Sequence, residues 1–291
     1  MTKQPNIAAS VIARLLNIAK EQQQPFDVIL IRYALERLIY RLGISPYAER
    51  YILKGGLLVS LWLEDAKRQT RDADFLGSGD ASEEYLVKVF TDIMQIEADD
   101  ALRLVTDKLT ATAIREETEY GGIRLQTNAF IDNTRISITI DIGFGDALTA
   151  QADKIEYPTL LDMPAPAVRA YPVSSVIAEK FQAMVDLGVA NSRMKDYYDL
   201  WALPKEIQIA DDDLDAAISA TFERRKTEIP TERIEGLSEA FYADTAKQRQ
   251  WRAYADSIDL ENVSLEEVAN SIWNFIAASC KRLNTDSKRH D

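Results

Sequence analysis

The sequence predicts an α+β protein, in which a region of mixed strands and helices lies between N-terminal helices and a C-terminal helical domain. Apolar residues recur every three or four positions over the first forty residues, which is typical of amphipathic helices. Apolar and polar residues then alternate between positions 108 and 144, which indicates antiparallel strands. Helical periodicity returns after a proline-interrupted segment that ends near position 172. We therefore expect two domains, residues 1–172 and 173–291.

The residue counts argue against several kinds of active site. The 291 residues include 34 basic and 47 acidic side chains, a net charge of −13, and 46% are hydrophobic, enough for a packed core. One cysteine, Cys280, excludes a disulfide framework and a cysteine-based zinc site. The one histidine, His290, lies in a charged tail and argues against a Ser-His-Asp triad or a histidine-ligated metal. Acid–base and metal chemistry would then come from carboxylates, Lys, Arg or Tyr.

The location and partners are constrained only loosely. The first ten residues lack the layout of a signal peptide, and no apolar run approaches the ~18–20 residues of a membrane span. We therefore expect a cytoplasmic protein without a membrane partner. The negative net charge argues against nucleic-acid binding by overall charge, but it leaves room for a local basic groove.

The elements of the first domain follow in order. An apolar stripe between Ile7 and Ala19 predicts the first helix, and Pro25 opens a second that ends at Gly43. The Gly55-Gly56 pair predicts a turn between a strand at 51–54 and a helix from 57 to 63. Ser82 caps a helix that extends to Gln95. Turn signals at 121–122 and 132–133 separate the remaining strands, so that the predicted strands cover 70–77, 108–116, 123–131 and 135–144.

The second half of the chain is predicted to be helical. One short strand, 168–171, lies among the prolines that precede it. Ser264 and Glu267 form a capping box at the start of the last helix. The predicted helices cover 174–187, 193–203, 214–226, 238–256 and 265–283.

Two aspartates after the glycine turn are the first candidate site. Side chains at positions i and i+2 of a strand project to the same side, so Asp72 and Asp74 would lie together. Two adjacent carboxylates repel each other unless a cation lies between them, and oxygen ligands of this kind suit Mg²⁺. A glycine turn at a helix start offers N–H groups to a phosphate. The simpler alternative is a solvated acidic strand end beside an ordinary tight turn.

Asp141 is the third candidate, because it interrupts a strongly apolar strand and shares a face with Ser137 and Thr139. If its strand neighbours that of Asp72 and Asp74, the three carboxylates could hold two Mg²⁺ ions for phosphoryl chemistry. An Asp on the wet face of a sheet is the alternative.

Two helical segments carry the remaining candidates. Lys180 follows Glu179 on a helix with an apolar side, and a lysine over a cleft could bind a triphosphate. Lys195 and Asp199 are i,i+4 neighbours on the next helix, and Asp196 and Asp199 are i,i+3 neighbours. A surface lysine and a solvated, ion-paired helix are the alternatives.

Taken together, these segments resemble the AbiEii/AbiGii toxin family of nucleotidyltransferase-like proteins, which is related to the MenA toxins. The resemblance covers roughly residues 45–205 and implies a DNA polymerase β-like nucleotidyltransferase fold followed by a helical domain. It rests on short stretches in the family's order, namely Leu53–Gly56, Arg68–Phe75, Asp141, Glu179-Lys180 and Lys195–Leu200.

The resemblance also implies roles for these residues. Asp72, Asp74 and Asp141 would be catalytic and bind Mg²⁺. Lys180 would contact the triphosphate of a bound NTP, and Asp196 or Asp199 would be a later acidic residue of the site.

The implied phosphate site departs from the family pattern in one respect. The resemblance places Gly55 and Gly56 at the start of the phosphate-binding helix, where many nucleotidyltransferases continue with Ser or Thr. This chain has Leu57 there, so backbone N–H groups, or Ser60 from the next turn, would contact the phosphate.

The implied activity is a toxin that transfers NMP from an NTP to an RNA acceptor, the tRNA 3′ end, with a cognate antitoxin protein as a further partner. Two alternatives stay open. One is NMP transfer to a protein or small-molecule hydroxyl, and the other is a non-catalytic scaffold that binds a partner. Basic residues that could contact RNA, or be ordinary surface charge, are Lys67, Arg68, Arg71, Arg224, Arg225 and Lys226.

Overall fold

The computed structural model describes residues 7–63, 68–114, 121–146, 148 and 152–290. The chain forms two compact units. The first comprises Met1–Leu61, Gln69–Gly145 and Ala152–Ala170, and the second comprises Trp62–Arg68, Asp146–Gln151 and Tyr171–Asp291.

Two helices open the first unit, as the apolar spacing predicts. Helix α1 spans Ile7–Glu21 and buries a stripe of residues four apart that includes Val11, Leu15 and Ala19. Helix α2 spans Phe26–Gly43, follows Pro25, and packs on the sheet. Its buried face also carries charge, because Arg41 donates two hydrogen bonds, of 2.6 and 3.0 Å, to the carboxylate of Asp100.

Among the described residues, one mixed sheet of eight strands forms the centre of the first unit. Along the chain the order is β1 Tyr51–Lys54, α3 Gly56–Trp62, β2 Ala73–Gly77, α4 Glu83–Met94, β3 Arg103–Leu104, β4 Thr110–Ile114, β5 Gly122–Ile131, β6 Thr134–Phe144, β7 Asp153–Glu156 and β8 Ala167–Ala170.

The strands lie in the order β3-β5-β6-β2-β1-β8-β7, with β4 also beside β5. The pairs β2–β6 and β1–β8 are parallel, and the other pairs are antiparallel. The alternating isoleucines of β6 are buried on one face of the sheet, as their spacing predicts. The α+β class with a mixed sheet is confirmed.

Several predicted boundaries differ from the structure. The strand predicted at 70–77 begins at Ala73. Strands β3 and β7 were not predicted, because β3 has two residues and β7, with the sequence DKIE, lacks an alternating pattern. The helix predicted at 238–256 is interrupted at Asp244, whose carboxylate caps the following helix by accepting the N–H groups of Ala246 and Lys247.

The second unit is helical. Aromatic side chains fill its interior; Tyr197 stacks on Phe241 with ring centroids 5.1 Å apart, and Phe181 contacts Phe222 at 5.4 Å. Ser264 caps the last helix by accepting the N–H of Glu267. Its helices are α5 Val173–Leu187, α6 Met194–Glu206, α7 Asp211–Arg224, α8 Glu239–Tyr242, α9 Thr245–Ser257 and α10 Leu265–His290.

Within the part of the chain that the structure describes, none of the helices combines the length and the apolar character that crossing a membrane requires.

Candidate active site

Three aspartates from two stretches of the first unit converge at one place on the sheet. Strands β2 and β6 run parallel with Asp74 opposite Asp141. Asp72 immediately precedes β2, so the carboxylates of Asp72 and Asp74 lie near each other although only Asp74 belongs to the strand. One carboxylate oxygen from each of the three residues lies within 4.8 Å of the others. The structure therefore brings together the three residues that the sequence placed in one site.

Neutral donors hold two of these carboxylates. The Thr70 hydroxyl donates to Asp72 Oδ1 at 2.7 Å, and the Gly56 N–H donates to Asp74 Oδ2 at 3.2 Å. Gly55 lies in the left-handed region, with φ +67°, and a Cβ atom there would overlap the Asp74 carboxylate. A glycine at 55 is thus required for the close approach of the turn to Asp74. Sequence reasoning assigned Gly55 and Gly56 to phosphate alone and missed this contact.

The electrostatics of the triad favour a bound cation. Burial, and after it the charge of Asp72, raises the pKa of Asp74 to about 6, although the Gly56 N–H and Lys54 act in the opposite direction. Ionised carboxylates this close repel each other, and a divalent cation with oxygen preference would relieve that repulsion. The donor set consists only of carboxylate oxygens, so these residues fit Mg²⁺ or a similar hard cation.

A cationic side chain pairs with the third aspartate. Arg124 on β5 lies opposite Asp141 and donates from Nε to Oδ1 at 2.8 Å and from Nη2 to Oδ2 at 2.6 Å. The sequence analysis did not identify Arg124, although the position of the hairpin turn is enough to place it opposite Asp141. The two-residue turn at Asp132-Asn133 pairs Ile131 with Thr134 and fixes the register of the whole hairpin.

The remaining predicted site residues form an ion-pair cluster within the second unit. Lys180 on α5 contacts Asp196 Oδ1 and lies 3.0 Å from Asp199 Oδ2, both on α6. Arg68 donates to both oxygens of Asp199, at 2.8 and 2.5 Å. The structure thus brings Lys180, Asp196 and Asp199 together and adds Arg68, whose side chain is 1% exposed.

Mutual pairing keeps this cluster charged. Burial by itself lowers the pKa of Lys180, but Asp199 and Asp196 outweigh burial and raise that pKa above its usual value. Burial by itself raises the pKa of Asp199, but Lys180 and Arg68 outweigh it and leave the pKa below its usual value. Two cations and two carboxylates compensate each other, as buried charges require.

The predicted phosphate contacts have the following surroundings. The Ser60 hydroxyl donates to the Gly56 carbonyl at 3.0 Å, one helical turn back. Leu57 is 2% exposed and belongs to the core of the first unit. Position 57 is therefore used here for apolar packing.

The candidate RNA contacts differ in exposure. Arg68 is buried against Asp199 and is not a surface charge, so its prediction as an RNA contact is wrong. Arg71 forms an exposed ion pair with Asp27 at 2.9 Å. Arg225 is half-buried and donates to Gln182 at 2.8 Å. Lys67 lies outside the described residues.

Comparisons with known proteins agree with this geometry. A family model described as "Nucleotidyl transferase AbiEii toxin, Type IV TA system" matches residues 37–275. The structure is similar to that of a proposed nucleotidyltransferase from Helicobacter pylori, with a TM-score of 0.51, 15% identity, and coverage of 89% of this chain and 96% of that chain. It also resembles JHP933 from Helicobacter pylori, with a TM-score of 0.49, 16% identity and coverage of 90% and 95%.

No curated protein matches the chain. The structural likeness confirms the predicted nucleotidyltransferase fold, and the family match covers most of the sequence. The chain therefore belongs to the AbiEii family of nucleotidyltransferase toxins of type IV toxin–antitoxin systems.

Proposed function

We propose that this nucleotidyltransferase moves NMP from an NTP to an RNA acceptor, the 3′ end of tRNA, with Mg²⁺ as cofactor. The observation that supports the proposal is the convergence of Asp72, Asp74 and Asp141, with carboxylate oxygens within 4.8 Å of one another. Clustered carboxylates that hold divalent cations are the usual means of stabilising charge in phosphoryl chemistry.

The three aspartates would hold the cation together. Asp141 would in addition position the acceptor hydroxyl or take its proton. Mg²⁺ supplies charge stabilisation to the attacking and leaving oxygens when it is bound. The acceptor oxygen forms a bond to the α-phosphorus, the bond to the bridging oxygen of pyrophosphate breaks, and pyrophosphate leaves.

The other residues serve the substrate in this proposal. Lys180 contacts the triphosphate, and Asp196 and Asp199 hold its ammonium group in place. The N–H groups at Gly55 and Gly56 offer phosphate contacts, and that of Gly56 also donates to Asp74. Ser60 lies one turn further along α3 and contributes from there.

The partners of the proposal follow from the family. A type IV toxin implies an NTP as substrate and a cognate antitoxin. The identity of the acceptor rests on the resemblance, and a protein or small-molecule hydroxyl is the alternative that the experiment below distinguishes.

The test is labelling with each of the four radioactive NTPs in turn, in the presence of tRNA and cell protein, with RNA and protein resolved on separate gels. The wild type should label RNA, and Asp72→Asn should lower labelling by at least about 100-fold because it removes a metal-binding charge. The matched control is Asp132→Asn, an exposed turn residue at φ +51°, a conformation that asparagine tolerates.

Each outcome of this experiment has one meaning. Full labelling by Asp72→Asn would contradict the metal site. Label on protein instead of RNA would show that the acceptor is a protein hydroxyl and not the tRNA 3′ end. Labelling of neither polymer would indicate a small-molecule acceptor if the NTP is still consumed, and a scaffold that acts by binding if no NTP is consumed.

A further inference from the structure

Arg124 and Asp141 form a two-hydrogen-bond ion pair at the edge of the acidic triad. The residues lie directly opposite each other on β5 and β6, and both carboxylate oxygens accept from the guanidinium, at 2.8 and 2.6 Å. This fork geometry is the strongest that an arginine makes with a carboxylate. The Asp141 side chain is 17% exposed and that of Arg124 is 43% exposed.

In this pair, the guanidinium of Arg124 occupies the carboxylate of Asp141 that a bound metal ion would need as a ligand. An oxygen of Asp141 lies within 4.8 Å of oxygens of Asp72 and Asp74, while both oxygens of Asp141 are already engaged. The other two carboxylates accept from neutral groups, the hydroxyl of Thr70 and the N–H of Gly56. A cation that binds all three aspartates would therefore compete with Arg124 for Asp141 and repel its charge.

We propose that Arg124 is the resting counter-ion of Asp141 within the triad and competes with the divalent cation for that carboxylate. This inference rests on the metal site of the proposed function. Arg124 stabilises the triad when no metal is bound and weakens metal binding by the free energy of the ion pair that must loosen. Its exposed guanidinium can move toward solvent, whereas a buried arginine would be trapped.

The test measures Mn²⁺ binding to the full chain by calorimetry, with neither NTP nor RNA present. Arg124→Met should bind Mn²⁺ about tenfold more tightly than the wild type, a change of about 1.4 kcal/mol. The metal-free variant should also melt at a lower temperature than the metal-free wild type, because the Asp141 carboxylate then lacks its cationic partner beside two other carboxylates. Saturating Mn²⁺ should remove most of that difference, which also checks that the variant folds.

Two controls separate the ion pair from a general effect of charge. Arg135 is an exposed arginine on the same hairpin, and its side chain donates to Asn128 instead of to a carboxylate. Arg135→Met should therefore leave the affinity for Mn²⁺ unchanged. In an Asp141→Asn background, Arg124→Met should no longer tighten binding, because the contact that it releases is already lost.

The inference is overturned if Arg124→Met binds Mn²⁺ with unchanged or lower affinity. It is also overturned if the tightening persists in full with Asp141→Asn, since Arg124 would then act through its field alone. A wild type that binds no divalent cation would end both this inference and the proposed metal site. Tighter binding by Arg124→Met without nucleotide transfer would support the competition and reject only the proposed reaction.

Discussion

Replacement of Gly55 by alanine tests whether the glycine turn positions Asp74. The residue lies at φ +67°, and the added methyl group would overlap the Asp74 carboxylate that the Gly56 N–H holds at 3.2 Å. Gly79→Ala is the matched control, because Gly79 also has a positive φ, +99°, but among the described residues no atom beyond its chain neighbours lies within 4 Å of the added Cβ.

The expected magnitude has two parts. An alanine in a left-handed conformation costs roughly 1–2 kcal/mol, and both variants have this cost. Gly55→Ala must in addition displace Asp74 from its hydrogen bond, and a bond to a charged group contributes about 1.5–3 kcal/mol. We therefore expect Gly55→Ala to be about 1.5–3 kcal/mol less stable than Gly79→Ala.

The measurement is thermal unfolding followed by circular dichroism, with Mn²⁺ binding as a second readout. For a unit of this size the difference corresponds to a melting temperature lower by about 3–12 °C. Gly55→Ala should also bind Mn²⁺ more weakly than Gly79→Ala because Asp74 is displaced. Equal melting temperatures and equal Mn²⁺ affinities for the two variants would refute the claim that the turn positions Asp74.

Two further predictions concern ionisation. Burial and Asp72 raise the pKa of Asp74 to about 6. Between about pH 4 and pH 6 the folded protein therefore retains a proton that the unfolded chain has lost. This contribution to the stability of the folded state is full below about pH 4 and disappears as the pH rises through about 6. The melting temperature in EDTA should fall over that range, and Asp74→Asn should flatten the profile; identical profiles would contradict the assignment. Lys180→Met removes a partner from the buried Asp199 and the half-buried Asp196 and should cost about 3–5 kcal/mol in urea unfolding. Lys180→Met combined with Asp196→Asn should recover part of the loss. Purely additive costs would show that Lys180 and Asp196 are not coupled.

The sequence by itself determined the local structure. The 3.6-residue period predicted α1 and α2, and alternation predicted β5 and β6, because both patterns reflect which side chains of one element face the core. The turn at Asp132-Asn133 also fixed the hairpin register, and with it the pairing of Arg124 and Asp141, which could have been read from the sequence. The spacing of Asp72 and Asp74 predicted that the two carboxylates lie together, although Asp72 precedes the strand instead of belonging to it.

Only the tertiary structure decided which strand lies beside β2. Alternation shows that β6 has an apolar face, but any strand with such a face could pair with β2. The parallel β2–β6 contact, which brings Asp141 to Asp74, was therefore only a hypothesis before the structure. The contact of Gly55 with Asp74 and the burial of Arg68 against Asp199 likewise join residues distant in sequence. Such contacts depend on how apolar faces pack across the whole chain, which no local period encodes.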